Sequence, residues 1–236
     1  MLAGVLGSAG GIASLISYPT LLAVGLPPLA ANATNIVGLV AYLPGVAHGS
    51  RPELRGQGTW LRQWVPVTLV GGAIGAVLLL LTPPAAFTHV VPFLVAAGAL
   101  GLLAAPWLSR NRVPGSHRPL TFGAYLTVLA VYCGYFGAGS GVMTLALIMI
   151  LVQRHLPIAN ALKNILVSAA NVPAAILLAI FAPVHWAAAA ALAAGVLAGS
   201  RVGPSIMRAA PAAAARWLIG MLGLGLAVVL WVDPHL

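Results

Sequence analysis

The chain has 236 residues, of which 61% are hydrophobic and only 6% charged, with a formal net charge of +9 and a mean hydropathy of +1.04. A soluble domain carries roughly 25% charged residues, so this composition cannot cover a water-facing surface and leaves no room for a soluble domain. The two acidic residues, Glu53 and Asp233, argue against a buried carboxylate pair for proton relay or catalysis, and the single cysteine, Cys133, excludes an internal disulfide and a Cys-ligated cluster.

The chain opens "MLAGVLGSAGG" without a basic leader region. That is a poor secretory signal, and the chain is expected to begin inside its first membrane element. Apolar segments follow at 12–26, 29–49, 63–82, 86–108, 120–136, 141–153, 157–181, 185–207 and 213–232. Their lengths suit bilayer spans or parts of spans. Trp64, Trp107, Trp186, Trp217 and Trp231 fall near segment ends, as an aromatic belt at the membrane interface predicts. Tyr18 and Pro19 interrupt the first segment, which packing or a kink explains. The six histidines are scattered near span ends, and no pair has metal-ligand spacing, so neither a metal nor another cofactor is assigned.

Three glycines and a serine fall within "GAGSG", Gly137–Gly141, inside the oily stretch 120–153. If that stretch crosses once, the arginines divide between both faces. If it doubles back at the glycines, Arg51, Arg55, Arg62, Arg110, Arg112, Arg118, Arg154, Arg201, Arg208 and Arg216 all fall on or near one face. The second solution satisfies the positive-inside rule, so the glycines are expected to form a hairpin tip and the arginine face to be cytoplasmic. The charge thus reports orientation; it forms no long basic run, and no nucleic-acid partner is expected.

The chain also repeats. Gly7, Ala9 and Gly11 match Gly137, Gly139 and Gly141 at an offset of 130. Pro28, Ala30, Asn35, Ile36 and Pro44 match Pro157, Ala159, Asn164, Ile165 and Pro173 at 129, and Gly71, Gly75 and Pro83 match Gly199, Gly203 and Pro211 at 128. With a fold-back, the two halves have opposite orientation, a recurring transporter design with the site near the midplane. The expected fold is an all-α polytopic membrane protein of two inverted repeats, each a glycine-broken hairpin followed by transmembrane helices. Residues 1–108 form the first, with its leading helix truncated; 109–119 are a cytoplasmic linker; 120–236 form the second.

A helix begins after each tip, near Ile12 and Val142, with amide N–H groups that lack internal partners and carry about half a positive charge. Two such ends from opposite faces would suit a small anion; alternatively the glycines serve only close helix packing. Beyond the tips lie "NATN" (Asn32, Thr34, Asn35) and "ALKN" (Lys163, Asn164). Lys163 is the only lysine. An ionisable residue at membrane depth is a functional candidate, with snorkelling toward the Arg154 face as the competing reading. Asn171 suits either the site or an interhelical hydrogen bond. Gly11, Gly137, Gly139, Ser140, Gly141, Thr34, Asn35, Lys163, Asn164 and Asn171 are the candidate substrate-binding residues.

"VYCGYFGAGSGVMTLAL" with "IANALKNILVSAANVPAAI", and "SYPTLLAVGLPPLAANATN" with "GSRPEL", resemble the TauE/SafE family of sulfite and organosulfonate exporters. The resemblance covers nearly the whole chain. It implies a multi-pass plasma-membrane carrier that exports a small sulfur oxyanion, with family motifs on Gly137, Gly139, Gly141, Lys163, Asn164, Asn171, Thr34 and Asn35. A small anionic substrate and the lipid bilayer are the expected partners, and a homodimer is left open. The competing readings are an anion or small-solute channel, a non-transporting membrane assembly partner, and an intramembrane serine enzyme built on Ser140. The enzyme is set aside because His155, the base nearest in sequence, stands about 22 Å along the helix.

Overall fold

The computed structural model describes residues 1–110, 119–153, 155–209 and, near the C-terminus, 221, 224, 225, 228, 229, 231 and 232. The proposed linker 109–119 lies almost wholly outside the described residues, as does most of the segment 213–232. Eleven helices are resolved among them: α1 (Leu2–Gly10), α2 (Ala13–Ala23), α3 (Pro28–Leu39), α4 (Tyr42–Gly49), α5 (Arg51–Leu54), α6 (Gly58–Leu81), α7 (Pro84–Arg110), α8 (Pro119–Tyr135), α9 (Ser140–Leu151), α10 (Leu156–Phe181) and α11 (Trp186–Ala209). Among the described residues, four stretches are long and apolar enough to cross a bilayer: Pro28–Gly49, Gly58–Leu81, Leu156–Phe181 and Trp186–Gly203.

The first of these spans is broken between α3 and α4. A proline ring clashes with the carbonyl four residues earlier, and Pro44 places that clash at Val40. The backbone answers by tightening: Val40 N–H donates to Val37 O at 3.3 Å and Leu43 N–H to Val40 O at 3.2 Å, each three residues back.

The chain doubles back at the second glycine cluster. Gly137 and Gly139 have φ of +79° and +75°, the left-handed region that glycine enters without steric cost. Gly137 N–H bonds Tyr132 O at 3.1 Å, closing α8, and Gly139 N-caps α9. At the open end, Pro119 and Phe122 of α8 share a cavity with Leu151 and Val152, and with Trp60 and Trp64 of α6. Residues 119 and 152 therefore lie at the same end of the bundle, which a single straight crossing forbids. The first tip is built alike, with Gly11 at φ +77° closing α1.

Lipid gives no hydrophobic drive for helices to associate with each other, so close backbone approach matters. Gly199 and Gly203 of α11 lie against Met1, Val5 and Ser8 of the first hairpin, and Gly71 and Gly75 of α6 against Ala130, Val131 and Tyr135 of the second. A Cβ on Gly199 would stand 2.8 Å from Val5 N. We expect Gly199→Leu to part α1 from α11 and lower the thermal midpoint in detergent, measured by differential scanning fluorimetry.

One expectation changes. Trp64 is buried and meets Phe122 edge-on at 4.8 Å between ring centroids; it is core rather than belt, because the α8–α9 hairpin covers it. Trp186 and Trp231 are exposed, as belt residues should be. Pro19 does not end α2, and Tyr18 packs edge-on against Phe136 at 5.1 Å.

Candidate functional site

The two tips touch. A Cβ on Gly11 would lie 2.6 Å from the carbonyl carbon of Gly141, and a Cβ on Gly141 would lie 2.6 Å from Gly11 O. Only two glycines permit this approach. Beside the contact is a cavity of about 30 Å³, lined by Gly7, Gly11, Ala13, Ser14, Ile36, Leu39, Tyr42, Gly137, Ser140, Gly141, Lys163, Asn164, Val167 and Asn171. About 10–15 Å³ on this measure holds one water, so the cavity is tight, and a larger occupant requires the tips to part. The first turns of α2 (Ala13, Ser14) and α9 (Ser140, Gly141) both border it.

Lys163 is fully buried. Its ammonium donates to Gly7 O at 3.3 Å, and among the described residues it has no other polar partner. The snorkelling reading is therefore overturned: the side chain turns inward to the C-terminal carbonyls of α1 rather than toward the arginine end. A cation at a helix C-terminus is favourable, but one carbonyl satisfies only one of three donors. Beside it Asn160 and Asn164 both donate to Ser8 O, at 2.8 and 3.2 Å. Asn32 of α3 does the corresponding work at the other hairpin, donating to Tyr135 O at 2.9 Å.

Seven of the ten sequence candidates line the cavity: Gly11, Gly137, Ser140, Gly141, Lys163, Asn164 and Asn171. Three do not. Gly139 serves the turn and packs on Gly98. The Thr34 hydroxyl accepts from His185 N at 3.0 Å. Asn35 Oδ1 accepts from the Ser17 hydroxyl at 2.5 Å, leaving its Nδ2 buried without a partner among the described residues. Ser140 donates to Gly137 O at 2.8 Å and lies 3.5 Å from Cys133 Sγ.

The structure adds Ser14 and Tyr42, which sequence reasoning missed. Tyr42 stands 129 residues before Asn171, in the register that pairs Asn35 with Asn164. The signal was therefore present, but comparison by identity hides it because the residue types differ.

Helices throughout the described residues, four of their stretches apolar and long enough to cross a bilayer, and two glycine-tipped hairpins meeting at a cavity define a multi-pass membrane protein. The model of the sulfite exporter TauE/SafE family matches residues 1–230, and the chain belongs to that family of membrane transporters. A "Probable membrane transporter protein" from Haemophilus influenzae is 30% identical over 207 residues, 84% of this chain and 78% of the relative. A "Probable membrane transporter protein ORF9" from Sinorhizobium sp. is 26% identical over 238 residues, 99% of this chain and 90% of the relative. No solved structure matches the chain.

Proposed function

We propose that this protein is a secondary transporter of the bacterial plasma membrane, with its arginine-bearing loops cytoplasmic, that exports a small oxyanion: sulfite, an organosulfonate or a related species. One observation carries the reading. A fully buried lysine with a single carbonyl partner borders a cavity that is also faced by two helix N-termini and two asparagines. A buried cation without a counter-charge is costly, and an anion in the cavity removes the cost. The family's name supports the sulfur oxyanion class.

The crosswise packing supports two inverted halves that share this site, with α11 of the second half on α1 and α6 of the first half on α8. Rocking of one half against the other would expose the cavity to each side in turn. Export needs no proton relay, because moving an anion out of a negative interior gains about 2.3 kcal/mol per charge per 100 mV.

The test is flux. Purified protein in liposomes loaded with sulfite is expected to release it saturably, faster with the interior negative. Release no faster than from empty liposomes, for sulfite, methanesulfonate and small carboxylates alike, would remove the proposal.

A further inference from the structure

We propose that Tyr42 and Cys133 are specificity-determining positioning residues: each hydrogen-bonds the oxygen of a cavity asparagine, so that the cavity is presented with amide N–H and not with amide oxygen. The inference rests on the anion-transport reading and adds what makes the site accept anions.

The Asn164 amide has one arrangement consistent with its neighbours. Ser8 O can only accept, so the nitrogen of Asn164 must face it, at 3.2 Å. The oxygen then faces Tyr42, whose hydroxyl donates to it at 3.0 Å. An amide nitrogen carries two N–H donors, and the second is left for the cavity that Asn164 and Tyr42 line.

Asn171 is oriented in the same sense by a different group. The Cys133 thiol sits behind it, with Sγ 3.6 Å from Asn171 Oδ1 and 3.9 Å from Val167 O. The single S–H is shared between these acceptors, while Ser140 Oγ lies 3.5 Å from Sγ with its own proton on Gly137 O. With its oxygen turned back, Asn171 has both N–H donors without a protein partner among the described residues.

The equivalence runs deeper than chemistry, because Tyr42 and Asn171 share one repeat register. One half contributes the group that orients an amide, and the other contributes an amide. A reversed amide would aim a lone pair at the anion in place of a donor. The Tyr42 hydroxyl, together with Ser8 O, opposes that reversal at Asn164, and the thiol opposes it at Asn171.

The experiment is sulfite flux kinetics in liposomes together with the sulfite-induced shift in melting temperature, for wild type, Tyr42→Phe, Cys133→Ala and Cys133→Ser. Tyr42→Phe is expected to raise KM by about 10-fold, the scale of one lost hydrogen bond, with Vmax within about twofold. Cys133→Ala is expected to raise KM less, because a thiol is a weak donor, and Cys133→Ser to restore it. An unchanged KM in both Tyr42→Phe and Cys133→Ala, a fall in Vmax alone, or Cys133→Ser as defective as Cys133→Ala would overturn the proposal. If Tyr42→Phe does not reconstitute, the two cysteine variants decide. A wild type stabilised by sulfite but without flux removes the transport reading and leaves this one to be judged on the melting shifts. A wild type with neither response removes both.

Discussion

Lys163→Met is expected to lower sulfite flux by about 10- to 100-fold while leaving the melting temperature unchanged or raised. The two directions together make the result diagnostic. The ammonium is fully buried and holds one carbonyl, Gly7 O, at 3.3 Å. If its role were to cap α1, removing it would loosen the first hairpin and the protein would melt earlier. Asn160 and Asn164 remain on Ser8 O, however, so the cap is largely kept. Replacing an uncompensated buried charge with an apolar chain of similar length is commonly neutral or stabilising.

The anion loses more. A hydrogen bond to a charged group contributes about 1.5–3 kcal/mol, and each 1.4 kcal/mol is about tenfold in binding. Lys163→Arg is not expected to rescue: the cavity of about 30 Å³ has no room for a planar guanidinium, and Arg and Lys are not interchangeable donors. Flux and melting measured on the same preparations check the claim. Normal flux in Lys163→Met, or a lowered melting temperature that accounts for its loss, would count against a substrate role.

What was legible in the sequence was whatever the backbone cannot do otherwise. Two glycines two residues apart in an oily segment have few uses besides a left-handed turn, so the break at 137–139 could be read directly, and the arginine count said that the chain reverses there. Lys163 and Asn164 were legible because a polar pair in an apolar helix must have partners. The identity of those partners was not. Whether Lys163 turned outward or inward depended on where the C-terminus of α1 lay, 156 residues away, and no local pattern encodes that.

The same limit explains Thr34 and Asn35. They stand 129 residues before Lys163 and Asn164, but their partners are His185 N and Ser17, so positions matched by sequence do different work. Strict symmetry was the wrong guide there, whereas at Tyr42 it would have helped had position been weighed above residue type. Trp64 failed as a belt residue for a related reason. A tryptophan at a span end faces lipid only if nothing folds over it, and α8–α9 does.

Gly141→Ala is expected to destabilise the protein by about 1–3 kcal/mol, the range for overpacking a close contact, and to remove most of the flux. The added methyl would stand 2.6 Å from Gly11 O, 2.7 Å from Gly11 Cα and 3.0 Å from Gly11 C. All three are backbone atoms, so no rotamer change relieves the contact and one tip must retreat. Retreat also moves the first turn of α9 off the cavity, which is why flux should fall further than stability alone requires.

Gly11→Ala should behave alike with an added backbone cost, because Gly11 sits at φ +77°, where a Cβ is strained. Combining the two should cost less than the sum of the singles, since both break one contact and residues in contact do not add. Gly58→Ala, which meets nothing within 4 Å, is the control and should melt and transport as wild type. The measurements are thermal unfolding in detergent and sulfite flux. If Gly141→Ala matched the control in both, the meeting of the tips would be incidental to the fold and to the site, and the two helix ends would not need each other to make it.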